Sequence, residues 1–159
     1  MPETITIRIA SLDEFERIRD VRVETLHHHV ERIPERFQET DDPPPTREFI
    51  ANILAENHGA LLIAEFDDAV VAFLTVRIST PDASYLVPDV CGTVDTLGVK
   101  EEWRGQGVGR MLMDAAHEWA AAKGVTRMYL NVWEANTNAL AFYEALGYAT
   151  ANRTLWKSL

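Results

Sequence analysis

The residues best placed to do chemistry lie in "VKEEWRGQGVG", Val99 to Gly109, where Gly105, Gly107 and Gly109 alternate directly after an apolar run and directly before a helical pattern. Glycines at a strand-to-helix junction leave the unpaired amides of the helix N-terminus open, and the positive end of the helix dipole points the same way. That combination suits an anion. A dinucleotide fingerprint fits poorly, because its third glycine would fall on Arg110, and a P-loop fits poorly because the closing Gly-Lys-Ser/Thr is missing. A pyrophosphate remains, set against a purely structural alternative in which the glycines serve a tight turn and close helix packing. Arg104 offers either a charge-assisted phosphate bond or a cap for the turn.

Other reactive side chains carry less. His27, His28 and His29 suggest a metal, but adjacent residues on a helix diverge by wide angles and no Glu-x-x-His spacing accompanies them, so no metal is expected. Cys91 is the sole cysteine, which excludes an intramolecular disulfide and a thiolate cluster and leaves a small buried hydrophobe. A net charge of −10 disfavours nucleic acid and anionic membrane surfaces. The acid-dense "PERFQETDDPPP" serves either solubility or a cationic substrate. No uninterrupted apolar run approaches the roughly 18 residues of a membrane span, so the expectation is a cytoplasmic chain with no membrane partner.

These residues need a scaffold. At 159 residues, 47% apolar and 25% charged, the chain has the length and composition of a single globular domain over 1–159. Thr4 to Ala10 alternates as a strand, and Ser11 with Glu14 forms a capping box that starts a helix running from Leu12 towards His28, with Pro34 the latest stop. "DDPPPT" breaks the chain before a helix near Phe49 to Gly59. Ala60 to Ile78 reads as two strands turning at Asp67-Asp68, and the proline-punctuated loop after it lets Tyr85 to Val87 extend an edge. A strand over Thr93–Val99, a helix over Val108–Gly124, a strand over Thr126–Trp133 and a helix over Asn136–Gly147 follow, with short β-like stretches in "YATANRTLWKSL". This order specifies a mixed α/β domain whose late strands are parallel neighbours.

"RGQGVG", Arg104 to Gly109, after the strand residues "TLGV", together with "NTNALAFYEALGY", Asn136 through Tyr143 to Tyr148, closely resembles the GCN5-related N-acetyltransferase superfamily over nearly the whole chain. The first matches its Arg/Gln-x-x-Gly-x-Gly/Ala signature and the second its Asn, Tyr and Gly-Phe/Tyr spacing. The resemblance implies a mixed central β-sheet flanked by helices that binds acetyl-CoA. The implied pyrophosphate site is the backbone of Arg104, Gly105, Gln106, Gly107, Val108 and Gly109. Backbone around Leu97, Gly98 and Val99 is implied to pair with the pantetheine arm in a splayed gap between the Thr93–Val99 and Thr126–Trp133 strands.

By local pattern Asn136 is a helix N-cap, and the resemblance adds a contact to the cofactor arm. Tyr143 is a core residue by pattern; the resemblance makes it the general acid for the departing thiolate and a cofactor contact. Thr93 stands where many members carry a glutamate base, so Asp95, two residues on, becomes the candidate base through water, against a plain structural role. His28, Glu31, Phe37, Tyr85 and Trp133 are the acceptor-side guesses, with Trp133 alternatively core. The implied reaction is acetyl transfer to a primary amine, on a small molecule or on a peptide or protein; the competing class is a non-catalytic acyl-CoA-binding domain. A homodimer is expected through the edge-like tail "RTLWKSL".

Overall fold

"ALLIAEFDDAVVAFLTVRI" folds as the hairpin its pattern predicts. β2 (Gly59–Phe66) and β3 (Ala69–Ser79) pair antiparallel, and Asp67 (φ 49) and Asp68 (φ 61) both adopt the left-handed conformation that a two-residue turn between twisted strands requires. β1 (Thr6–Ala10) pairs antiparallel with β2, and β4 (Cys91–Val99) antiparallel with β3. β5 (Arg127–Leu130) joins β4 in parallel after the crossover helix α3 (Val108–Ala122), giving one sheet in the order β1-β2-β3-β4-β5. The computed structural model describes residues 4–55, 57–81 and 83–159.

Apolar residues on both faces of β2 and β3 build a core on each side of the sheet. Leu62, Ala64, Leu74, Val76 and Val94 meet Val108, Leu112, Met113 and Ala116 of α3. Leu61, Ile63 and Phe73 meet Phe15, Ile18, Val21 and Ile50 on the opposite face. That second layer comprises α1 (Arg19–Arg32), α2 (Arg47–Ala55) and a 3₁₀ helix, Leu12–Ile18. The first helix therefore opens as 3₁₀ rather than α: its period of three sets Phe15 and Ile18, both buried, on one line. The Ser11 amide donates to the Glu14 carboxylate at 3.0 Å, the capping contact expected there. α1 continues past His28 to Arg32 and ends at Ile33, the residue before Pro34, whose ring disfavours helical geometry at its predecessor.

A buried arginine locks the link between α1 and α2. Arg22, 1% exposed, donates through Nη2 to Asp42 Oδ1 at 2.5 Å and to the Pro43 carbonyl, with its guanidinium 4.4 Å from the centre of the Phe15 ring. Asp42 thus serves the fold, and Glu39 bonds His27 at 2.8 Å, so two acids of "PERFQETDDPPP" already have internal partners.

The C-terminal third departs from its sequence reading. β5 stops at Leu130 instead of Trp133, because its partner strand diverges there. Tyr85 and Leu86 lie in a turn of the β3–β4 connection, closed by the Leu86 amide on the Ala83 carbonyl at 3.0 Å, and Val87 follows with no strand formed. α4 (Thr137–Ala145) follows, and residues 149–159 take no regular structure, with Leu155 and Trp156 88% and 77% exposed. Alternating side chains make a strand only where a neighbouring backbone supplies hydrogen bonds, and among the described residues this tail has none.

Candidate active site

α3 begins on backbone that only glycine adopts readily. Gly105 (φ 72) and Gly107 (φ 85) are left-handed, Gly107 is the N-cap, and the first helical bond runs from the Met111 amide to the Gly107 carbonyl at 3.0 Å. The amides of Val108, Gly109 and Arg110 precede that bond and are the unpaired donors of the helix end. No acidic residue stands in the first turn, where acids ordinarily favour the dipole. The turn therefore fits an anion such as a pyrophosphate.

Beside it the sheet opens. β4 and β5 pair only over Cys91↔Arg127, Gly92↔Met128, Thr93↔Tyr129 and Val94↔Leu130, so Asp95 to Val99 have β3 on one side and no strand on the other. The Lys100 amide donates to Val71 of β3 at 2.9 Å; alternation along the strand then turns the peptide groups of Leu97 and Val99 away from β3, into the gap. An extended ligand arm can pair there as an added strand would. Gly98 faces the other layer, where a Cβ would lie 2.5 Å from Thr25 Oγ1, so its glycine also answers to the close approach of α1.

Arg104 neither reaches out to a ligand nor lies free in solvent. Its Nε donates to the Val99 carbonyl at 3.0 Å and its Nη1 to His28 Nδ1 at 3.1 Å. His28 Nδ1 also accepts from Arg32 at 2.8 Å, which assigns the ring proton to Nε2. Burial, then the Arg104 and Arg32 charges, press the His28 pKa down to about 4. Unfolded His28 therefore binds a proton at a higher pH than folded His28, and stability is lost as pH falls from about 6.5 towards about 4. His27, raised by Glu39 and Glu31, works in the opposite sense. The expected result is that His28→Gln, measured by thermal unfolding against pH, shows a shallower loss than the wild type in that window.

The last helix carries the remaining groups. Asn136 is the N-cap of α4, its side-chain oxygen accepting from the Ala139 amide at 3.3 Å, as its local pattern predicts. A Cβ on Gly109 would lie 3.4 Å from Phe142 and 3.8 Å from Leu97, so the glycine turn, the open edge of β4 and α4 converge at one point. Tyr143 packs against Phe142, ring centres 5.0 Å apart, and against Tyr148 at 5.9 Å. The Tyr148 hydroxyl is held by His117 Nε2 at 2.7 Å, while the Tyr143 hydroxyl has no hydrogen-bond partner among the described residues. Burial pushes the Tyr143 phenol up to about 12, so its proton stays on at neutral pH.

Asp95 occupies a β-bulge. Thr75↔Thr96 and Val76↔Val94 leave it as the extra residue of β4, which resets the alternation so that Leu97 and Val99 pack on the α3 side. Arg77, the partner of Thr93 across the strands, grips both Asp95 oxygens through Nε at 3.1 and 2.9 Å. Asp95 thus shares the Thr93 face but carries a cation with it.

The family profile of acetyltransferases (GNAT) matches residues 23–148. The chain belongs to that family. A peptidyl-lysine N-acetyltransferase, YjaB of Salmonella typhimurium, is 32% identical over 108 residues, 67% of this chain and 61% of that protein. The chain spans 18%, 26% and 61% of three curated relatives it matches. The BH1408 protein of Bacillus halodurans, solved as a tetramutant, superimposes with a TM-score of 0.87 at 20% identity, covering 97% of this chain and 99% of that one. The aminoglycoside N-acetyltransferase AAC(6')-Iy, solved with CoA, superimposes with a TM-score of 0.75 at 20% identity, covering 100% and 97%. These likenesses establish the mixed sheet flanked by helices as the GNAT fold.

On this GNAT scaffold the five acceptor-side guesses separate into three places. Phe37 and Trp133 meet edge to face at 5.4 Å, with the His29 ring tilted against Phe37 at 5.0 Å, which ties the end of α1 to the segment leaving β5. His28 and Glu31 line a polar cleft of about 260 Å³ with Glu24, Arg32, Glu101 and Arg104. Tyr85 stands 87% exposed on the β3–β4 connection. A second cavity, about 410 Å³, lies where β4 and β5 are still paired and is lined by Leu86, Val87, Cys91, Thr93, Arg127 and Tyr129 among others. Gly92, Met128 and Leu130 turn to the α3 side, so alternation puts Cys91, Thr93, Arg127 and Tyr129 on the opposite face, next to the point where the strands part. Sequence reading did not find this cavity, nor the Arg77–Asp95 and His117–Tyr148 pairs, since each joins residues 18 or more apart with no local pattern.

Proposed function

We propose that this chain transfers an acetyl group from acetyl-CoA to a primary amine by direct attack within a ternary complex. The observation that carries the reading is the convergence of the amide-lined glycine turn, the unpaired edge of β4 and α4, the helix that carries Tyr143, at one point. When bound, acetyl-CoA supplies the activated thioester. Backbone of Gly105 to Gly109 holds its diphosphate, the Arg104 amide being taken by the Glu101 carbonyl at 3.2 Å, while Leu97 to Val99 pair with its arm and Asn136 adds a side-chain contact. The amine nitrogen bonds to the carbonyl carbon, the carbon–sulfur bond breaks, and the sulfur takes its proton from Tyr143. Asp95 receives the amine's proton through water and releases it to solvent, and solvent returns one to Tyr143. The Leu97 amide faces charge developing on the carbonyl oxygen.

Calorimetric titration is expected to show one acetyl-CoA site per chain, and thiol release is expected with amines; a folded chain that binds no acetyl-CoA refutes the reading. Thr93 in place of a carboxylate, and Arg77 gripping Asp95, favour a second reading, a non-catalytic acyl-CoA-binding domain. Cofactor binding without thiol release across a broad amine panel would select it. The acceptors named for the relatives, a peptidyl lysine and an aminoglycoside, differ from one another, so family membership leaves a small amine and a protein amine both open.

The open edge of β5 and the exposed Leu155 and Trp156 support a homodimer in which the tail finds its strand partner on a second copy. Light scattering at several micromolar is expected to give twice the chain mass; deletion of residues 153–159 is expected to return it to the monomer.

A further inference from the structure

Resting on the acetyltransferase reading, we infer that the acceptor is a small amine carried on an apolar body and entering through the cavity of β4 and β5. The cavity abuts the parting of the strands through Thr93 and Tyr129, register partners one step before the last pair, so an amine lodged in it points at the gap. Its volume, about 410 Å³, admits one small molecule. Its apolar wall is Pro81, Leu86, Val87, Cys91 and Tyr129, beside the polar Ser79, Asp89, Thr93 and Arg127, and the loop that forms one side presents Leu86 and Val87 47% and 81% exposed. Exposed apolar residues beside an apolar cavity invite an apolar ligand to cover both.

Charge decides against the alternative acceptors. Asp89 is the lone carboxylate among the described lining residues, and it is taken by the Thr126 hydroxyl at 2.5 Å and by Arg127 at 3.5 Å. Arg127 is the one cation among the described lining residues, and those residues hold no uncompensated negative charge. A monoamine loses its proton before attack, and low-polarity walls favour that neutral form. A polyamine or aminoglycoside keeps further ammonium groups, each of which loses hydration in the cavity with no free carboxylate to replace it. Of the acid-dense segment before α2, Glu39 and Asp42 are already bonded to His27 and Arg22.

Thiol release by the full chain, with saturating acetyl-CoA, tests this with 2-phenylethylamine, spermidine, kanamycin and a peptide bearing a free N-terminus. The expected kcat/KM for 2-phenylethylamine exceeds each of the others at least tenfold. Val87→Glu, at a position exposed enough to leave the fold alone, is expected to lower the 2-phenylethylamine value about tenfold and to raise that for spermidine, with acetyl-CoA affinity by calorimetry unchanged. Preference for spermidine, kanamycin or the peptide overturns the inference while leaving the enzyme reading standing, as does an unchanged ratio in Val87→Glu. A chain that binds no acetyl-CoA, or binds it and acts on no amine, overturns both.

Discussion

Turnover is expected to fall about 10²–10³-fold in Tyr143→Phe, with acetyl-CoA affinity nearly unchanged. The phenol sits where burial holds its proton, at a pKa of about 12. A thiolate that forms away from bulk water is made more basic by burial in the same way, so the proton can pass to it. Phe keeps the ring that packs on Phe142 and Tyr148 and removes only the hydroxyl, which no residue of the described chain needs as a partner. The loss should therefore appear in kcat and not in stability. Steady-state kinetics beside calorimetry reads both. Equal turnover in the variant returns Tyr143 to packing, and Tyr148→Phe is the comparison, since that hydroxyl is bonded to His117.

The second large effect belongs to the glycine turn. Gly107→Glu is expected to weaken acetyl-CoA binding by about 100-fold, the sum of two physical costs of comparable size. A side chain at φ 85 is strained by about 1–2 kcal/mol, so the free turn of the variant relaxes out of the conformation that binding requires and binding must restore it. A carboxylate at the helix N-terminus then competes with the diphosphate for the same amides and the same end of the dipole. No heavy atom lies within 4 Å of a Cβ built there, so crowding is not the cause. Gly107→Ala separates the terms: it bears the strain without the charge, and is expected to bind acetyl-CoA several-fold tighter than the Glu variant. Titration calorimetry of the three proteins measures the difference, and equal affinity in wild type and Gly107→Glu would remove the turn from the diphosphate site.

Local chemistry was legible in the sequence. The turn at Asp67-Asp68, the left-handed glycines before α3, the Glu14 capping contact and the Asn136 cap each depend on residues within a few positions of one another, and the structure places them as their patterns predict. The spacing of Arg104 to Gly109 and of Asn136 to Tyr148 was likewise enough to indicate the family. Tertiary structure decided the rest. Residues 131–133 alternate like strand, yet β4 bends away at its bulge and no backbone remains to pair with them. Asp95 reads as a free carboxylate until Arg77 arrives from the neighbouring strand. Arg104 reads as a phosphate ligand or a cap until α1 brings His28 to it from 76 residues away. The acceptor guesses were scattered for the same reason: a cavity is made where separate elements fail to fill the space between them, and its lining takes residues from 79 to 129 that no short-range rule connects. Backbone conformation and capping are set by neighbours in the chain, whereas partners, voids and charge compensation are set by the packing of distant elements, and only the folded sheet brings those together.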